Sequence, residues 1–166
     1  MSRMLANSRI VVGVDGSAAS AAAVRWAVHE AKLRHVTVHL VCAYHSDFRL
    51  RAPYVPSSWP ESQDERYAAA RKILATMTEL ALRHLRLGRL TSELVNEPPA
   101  RALLDRASDA EMLVLGTTRP VPEPGKPPPA MGPVARACLC LAHCPVVVVA
   151  PDDQRANPPC EPRRLV

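Results

Sequence analysis

The sequence predicts an α/β protein in which a five-stranded parallel sheet carries helices on both faces. Short apolar runs alternate along the chain with segments of helical periodicity, which is the pattern of successive β-α-β units. The first of these runs, "IVVGV" from Ile10 to Val14, is continuously apolar, as expected for a strand buried on both faces. Hydrophobic residues make up 48% of the 166 residues and aromatic ones only 4%, so the predicted core is aliphatic.

The first two strands and the helix between them are predicted from the residues around a turn at positions 15–17. The strand Ile10–Val14 precedes this turn, and Ser17 is a candidate N-cap for a helix from Ala18 to Arg34. Apolar residues recur within that segment at the spacing of one helix face. β-Branched residues then predict a second strand from Val36 to Ala43.

Prolines and a glycine separate the remaining elements. The proline-containing segment Tyr44–Gln63 is predicted to be irregular, and a long amphipathic helix follows from Asp64 to Leu87 with Gly88 as its C-cap. Proline is tolerated in a first helical turn, so Pro98 and Pro99 predict the start of a short helix. The later elements are a strand at Leu90–Val95, that short helix through Ala107, a strand at Met112–Leu115, a helix at Val134–Ala142 and a strand at Pro145–Ala150.

Composition divides the chain into a folded domain, residues 1–150, and a proline- and arginine-containing tail, residues 151–166, which we expect to be disordered. The net charge is +5, but no basic run alternates with aromatic residues, so no nucleic-acid partner is predicted. No apolar run approaches the roughly 20 residues that span a bilayer, and the first residues lack the apolar core of a secretory signal. Five cysteines, an odd number, fit a reduced chain, so we expect a cytoplasmic protein without a membrane partner.

The ends of the predicted strands indicate a shared ligand crevice. In a doubly wound parallel sheet with right-handed crossovers, ligands bind at the carboxyl ends of the strands, near the topological switch point. Asp15, Ala43 and Gly116 each end or directly follow a predicted strand. We therefore expect these three residues to lie around one crevice.

The loop from Gly116 to Gly132 allows two interpretations. A glycine-bounded passage from strand to helix is a common phosphate site, but this passage is rich in proline, which has no backbone N–H to donate. Thr117 and Arg119 retain a hydroxyl and a cation, and a helix that begins near Pro133 favours an anion at its N-terminus. The alternative is a polyproline-like surface loop without a ligand.

Three cysteines and a histidine near the end of the domain suggest a metal site at first sight. These residues are Cys138, Cys140, His143 and Cys144. On a helix, the first two point about 200° apart, whereas structural zinc needs four converging ligands. Cys138 and Cys144 are therefore interpreted as small core residues, and no metal site is predicted.

Three segments resemble the universal stress protein family in their order and spacing. They are "IVVGVDGSAASAAAVRWA", "PPARALLDRASDAEMLVLGT" and "HCPVVVVA", and the resemblance runs from about Arg9 to Ala150. It implies a Rossmann-like, three-layer sandwich of the adenine-nucleotide α-hydrolase-like type. It also implies a homodimer through the last strand, Val146–Val149; the alternative is a central strand in a monomer.

The resemblance also implies site residues. An Asp after the first strand contacts the nucleoside in this family, the backbone after the second strand meets the adenine, and a motif G-x-x-G-x9-G-[ST] wraps the phosphates. Gly116 and Gly132 match the outer glycines, but Arg119 and Pro133 replace the second glycine and the final Ser/Thr, and the span is three residues longer. The candidate cofactor-binding residues are Val14, Asp15, Ala43, Gly116, Thr117, Arg119, Gly132 and Val134.

The resulting expectation is a stress-response sensor or regulator that binds ATP weakly or through altered phosphate contacts, with Mg²⁺ present only alongside the nucleotide. Losing two charge-assisted hydrogen bonds at Pro133, each worth roughly 1.5–3 kcal/mol, lowers affinity by about two to four decades. Catalysis is not expected beyond slow ATP hydrolysis. The alternative is a dimeric interaction module that no longer binds nucleotide and acts through protein partners of unknown identity.

Overall fold

The computed structural model describes residues 8–45, 62–85, 89–117 and 131–151. Its centre is a five-stranded sheet in the order β3-β2-β1-β4-β5, and every neighbouring pair is parallel, as predicted. The strands are β1 Arg9–Gly13, β2 Thr37–Ala43, β3 Leu90–Val95, β4 Met112–Gly116 and β5 Val146–Val149. The order reverses direction at β1, so the topological switch point lies between β1 and β4.

Four helices connect the strands, and two core clusters show that they cover both faces of the sheet. The helices are α1 Ala18–Arg34, α2 Gln63–His84, α3 Pro99–Arg106 and α4 Pro133–Leu141. One cluster joins α1 and α2 to alternate strand residues such as Val12 and Leu40, and the other joins α3 and α4 to Val11 and Val41. The described core is aliphatic, as predicted, because nearly all of its side chains are Val, Leu, Ile, Ala, Met or Cys.

Local capping signals explain why α1 begins where the sequence predicted. Ser17 has an extended backbone, and its Oγ accepts the N–H of Ser20 at 3.0 Å. Ala23, Ala27 and Ala31 repeat every four residues and are buried against the sheet. The small side chains allow α1 to pack closely over β1 and β4.

The predicted end of α2 is wrong. The sequence suggested Leu87 as the last residue and Gly88 as the C-cap, but α2 ends at His84 with Leu85 as its C-cap. The Leu85 N–H bonds to the carbonyl of Ala81 at 2.9 Å, and its side chain is buried in the core. Leu87 and Gly88 themselves lie outside the described residues.

Other predicted features also lie outside the described residues. These are most of the irregular segment Tyr44–Gln63, the proline loop with Arg119, and the tail except for its first residue, Pro151. Within the described ranges, no helix is long and apolar enough to cross a membrane.

The last strand, β5, lies at one edge of the sheet formed by the described residues. β5 is the final strand in the sheet order and pairs on one side with β4, in register from Val146 opposite Leu113 to Val149 opposite Gly116. Among the described residues β5 is therefore an edge strand and not a central one, and the homodimer through it stays a prediction. All four valines of β5 are half-buried.

Candidate functional site

A cleft of about 510 Å³ opens at the carboxyl edge of the sheet, where β1, β2 and β4 end. Its size is within the range of about 300–1,000 Å³ that is typical of small-molecule sites. Five of the predicted site residues line it together: Val14, Asp15, Ala43, Gly116 and Val134. The expectation that Asp15, Ala43 and Gly116 share one crevice is confirmed.

Asp15 belongs to a tight turn at the mouth of this cleft. Its Oδ1 accepts the N–H of Ser17 at 2.9 Å, and the intervening Gly16 has φ +83°, a left-handed conformation that favours glycine. The interpretation of Asp15 as a turn residue is thus confirmed. The side chain is also exposed and lines the cleft, and a carboxylate has acceptor capacity for more than one donor.

The backbone N–H and C=O of Ala43 face the cleft, because successive residues of β2 direct these groups to alternate sides of the strand. The carbonyl of Val41 accepts the N–H of Val14 at 3.0 Å, so Val41 directs its backbone toward β1. The N–H of Tyr44 bonds to the carbonyl of Val95 at 3.0 Å, so Tyr44 directs its backbone toward β3. Successive residues alternate, and Ala43 therefore turns its N–H and C=O to the β1 side. β1 ends at Gly13, opposite Val41, so both groups point past the end of that strand.

Gly116 is required by packing at the end of β4. A Cβ on this residue would lie 2.4–2.6 Å from backbone atoms of Ala19 and Ser20 in the first turn of α1. Only a glycine lets α1 approach this closely. The N–H of the next residue, Thr117, bonds to the carbonyl of Val149 at 2.8 Å and extends the pairing with β5. Thr117 was a candidate site residue, but it does not line the cleft.

The start of α4 forms another side of the cleft. Gly132 is its N-cap and provides no side-chain cap, Pro133 is its first residue, and Val134 and Ala135 line the cleft. Gly132 itself does not line the cleft, and its φ is an ordinary −56°. An added Cβ would meet no described residue within 4 Å. The N–H groups of the first turn have no partner within a helix, and the helix dipole adds partial positive charge there.

Residues that the sequence analysis did not select form the remaining wall. From α2 they are Arg66, Ala69, Ala70 and Ile73, from α3 they are Pro99 and Leu103, and from the end of β2 they are Cys42, Tyr44 and His45. The α2 residues share one helix face, and that periodicity was visible in the sequence. It did not reveal that this face meets the carboxyl edge of the sheet.

The thiol of Cys42 lies beneath this wall. Its Sγ is 3.8 Å from the carbonyl oxygen of Ala70, and only 2% of the residue is exposed. Burial, together with the negative charge of Asp15, raises the pKa of Cys42 to about 11. Cys42 is therefore a protonated, apolar part of the cleft floor at neutral pH.

A charged cluster lies outside the cleft lining, where β2, β3 and α3 meet. Arg106 donates two hydrogen bonds to Glu93, at 2.8 and 3.2 Å, and one to Glu97 at 3.0 Å. His39 lies 3.3 Å from Glu93 through Nε2 and 2.7 Å from the hydroxyl of Thr91 through Nδ1. The pKa of His39 is lowered, chiefly by burial, and the hydrogen bonds from Arg106 lower the pKa of Glu93.

The cysteines in and after α4 include the two that were interpreted as core residues, Cys138 and Cys144. Cys138 is fully buried, Cys144 is half-buried against the same cluster, and Cys140 is exposed on the opposite side of the helix. Within the described ranges, no three His, Cys, Asp or Glu side chains come together in a group that could hold a metal ion.

Comparison with known proteins identifies the family. The model of the universal stress protein family matches residues 6–150. Universal stress protein Rv2623 of Mycobacterium tuberculosis is 32% identical over 148 residues, which are 87% of this chain and 48% of the relative. The chain thus spans about half the length of this relative.

Solved structures agree on the fold. The universal stress protein UspA of Lactobacillus plantarum superposes with a TM-score of 0.65 at 21% identity, covering 86% of this chain and 97% of that one. The universal stress protein of Archaeoglobus fulgidus in complex with dAMP gives a TM-score of 0.63 at 20% identity, covering 87% and 98%. The family match over nearly the whole domain, together with this fold, shows that the chain belongs to the universal stress protein family.

Proposed function

We propose that this chain binds an adenine nucleotide in the cleft at the carboxyl edge of its sheet and works as a nucleotide-dependent regulatory domain in the cytoplasm. The observation that carries the proposal is the backbone of Ala43, whose N–H and C=O both point past the end of β1. A donor and an acceptor on one residue suit the edge of an adenine ring. The four described cysteines are free thiols, which is typical of a reducing compartment.

The carboxylate of Asp15 supplies the contact to the sugar in this proposal. It stands at the mouth of the cleft, on the turn that follows β1, and it accepts hydrogen bonds. The family relative from Archaeoglobus fulgidus is known in complex with dAMP, which supports an adenine nucleotide as the ligand. Asp15 is the only carboxylate among the described residues of the lining, so we propose binding with at most slow ATP hydrolysis.

The phosphate end of the ligand has fewer backbone donors than a glycine-rich loop offers. Pro133 has no N–H, which leaves Val134 and Ala135 as the first donors of α4 on the cleft. Arg119, which replaces the second glycine of the motif, lies outside the described residues. We therefore propose that the nucleoside part contributes most of the affinity and that ATP, with its Mg²⁺, binds weakly.

Titration calorimetry with adenosine, AMP and Mg-ATP tests this function. The informative variant is Asp15→Asn, because the amide oxygen still accepts the Ser17 N–H and the turn is preserved. Losing a charge-assisted hydrogen bond weakens binding about 10- to 100-fold. Asp105→Asn is the matched control, since Asp105 is an exposed acid on α3 outside the lining. The absence of binding to any of the three ligands by the folded wild-type chain would refute the proposal.

A second candidate function is that of a dimeric interaction module, and it is favoured by the edge of β5 that pairs with no other described strand. Leu139 and Leu141, at the end of the preceding helix α4, are 45% and 61% exposed. An exposed apolar edge strand is normally paired or covered. We propose that a second copy pairs with this edge.

Light scattering coupled to size exclusion tests the dimer. A lysine on an edge strand opposes pairing, so Val148→Lys is expected to shift the mass toward the monomer. Ser92→Lys, on the opposite edge strand β3, is the control and is expected to leave the mass unchanged. A wild-type chain that is monomeric at every concentration contradicts this function.

A further inference from the structure

We propose that Arg66 is the phosphate-binding cation of the cleft and that it makes the site prefer phosphorylated adenine nucleosides to adenosine. This inference rests on the proposed function and assigns a role that the family's glycine motif does not supply. Among the described residues that line the cleft, Arg66 is the one arginine or lysine.

The wall that carries Arg66 is held in place at three points along α2. The Tyr67 ring packs edge-to-face on Tyr44, with the ring centroids 5.5 Å apart. The carbonyl of Ala70 lies 3.8 Å from the Cys42 thiol. An added Cβ on Gly16 would lie 3.0 Å from the Ile73 side chain, so the turn of Asp15 rests directly against α2. The helix segment that includes Arg66 is therefore fixed over the ends of β1 and β2.

The direction of α2 places Arg66 near the mouth of the cleft. The helix follows β2, so its first turns lie at the carboxyl edge of the sheet and its later turns run down along the sheet. Arg66 and Ile73 are seven residues apart, which is nearly two full turns, so they share one face and are separated by about 10 Å along the axis. Ile73 packs beneath the Asp15 turn, and Arg66 consequently stands above it, toward solvent.

The charges that line the cleft indicate why a cation at the position of Arg66 would favour a phosphate. A phosphate brings negative charge to a lining that already contains the Asp15 carboxylate, and the two repel each other. Arg66 is only partly exposed, so its attraction to an anion is less screened than that of a fully exposed side chain. A guanidinium also matches the geometry of phosphate oxygens with two parallel donors. Arg66 therefore adds a cation to a cleft that Val134 also lines, on a helix whose first residue, Pro133, has no N–H.

The test compares AMP with adenosine by titration calorimetry on the full chain. In Arg66→Gln we expect AMP affinity to fall about ten-fold or more, and adenosine affinity to stay within about two-fold. Arg66→Lys keeps the charge and is expected to retain part of the AMP preference. Arg71→Gln is the matched control, because Arg71 is an exposed arginine of α2 that does not line the cleft, and its ratio of affinities should equal that of the wild type.

Two outcomes overturn the role of Arg66 while leaving the proposed function intact. In the first, the wild type binds AMP, and Arg66→Gln binds both AMP and adenosine as tightly as the wild type does. In the second, the variant loses both ligands equally, which identifies Arg66 as a packing residue of the wall. A wild-type chain that binds neither ligand refutes the proposed function itself, and the inference fails with it.

Discussion

Replacing Gly116 by alanine places a methyl group against the backbone of α1. The added Cβ would lie 2.4 Å from the carbonyl carbon of Ala19 and 2.5 Å from the nitrogen of Ser20, whereas ordinary contact begins at 3.4 Å. The obstacle is backbone, so no side-chain rotation relieves it. The first turn of α1 must move by about 1 Å relative to β4, although Ala19 and Ser20 are both buried.

The expected cost follows from overpacking a buried contact that cannot relax. Such substitutions cost about 1–3 kcal/mol, and a clash with backbone belongs at the upper end, so we expect the free energy of unfolding to fall by about 3 kcal/mol. For a domain of this size, that corresponds to a melting temperature lower by about 6–12 °C. Urea unfolding followed by circular dichroism measures the change as a shift in midpoint at constant slope.

Gly132→Ala is the matched control for this measurement. Its added Cβ meets none of the described residues within 4 Å, and its backbone is already in an ordinary conformation. The expected loss is below about 1 kcal/mol, which is the cost of a poorer N-cap. If Gly116→Ala is as stable as Gly132→Ala, then α1 does not pack on the end of β4 as the structure shows, and the reasoning is refuted.

Two further predictions follow from titratable groups. Folding lowers the pKa of His39 from 6.5 and that of Glu93 from 4.5. As the pH falls, the unfolded chain therefore binds each of these protons at a higher pH than the folded chain does. The free energy of unfolding should consequently fall as the pH drops below 6.5 and again as it drops below 4.5. Urea unfolding midpoints between pH 7.5 and pH 4 measure this loss of stability. His39→Gln should flatten the fall below pH 6.5. A wild-type chain that is more stable at pH 5.5 than at pH 7.5 would contradict the prediction. Iodoacetamide at neutral pH should label the exposed Cys140 before the buried Cys42, whose pKa is raised to about 11, as followed by peptide mass mapping; the reverse order contradicts the burial.

The sequence by itself determined the elements whose causes are local. The bounds of α1 were predicted correctly because the Ser17 side chain accepts the N–H of Ser20 as an N-cap and because the apolar positions repeat at helical spacing. The prolines at the starts of α3 and α4 are also local signals, since each occupies a first helical position where no N–H is needed. Apolar or alternating residues marked each of the five strands, and the alternation of strands with helices predicted that the sheet is parallel.

The carboxyl-edge crevice was predictable at the level of topology. Asp15, Ala43 and Gly116 end or follow parallel strands, and right-handed crossovers bring such ends to one edge. The sequence could not show which of them also serve the fold. Gly116 matched a phosphate motif, yet the structure requires a glycine there because α1 crosses its backbone almost 100 residues away in the chain.

Tertiary structure alone decided the α2 wall of the cleft and the charged cluster. Arg66 and Ile73 are seven residues apart and share one face of α2, but only the packing of α2 across β2 and the Asp15 turn made that face part of the site. His39 and Glu93 meet because β2 and β3 are paired in register, with His39 opposite Thr91. Propensity and capping act over a few residues, whereas these contacts join residues that are distant in the chain, and the register of the sheet selects them.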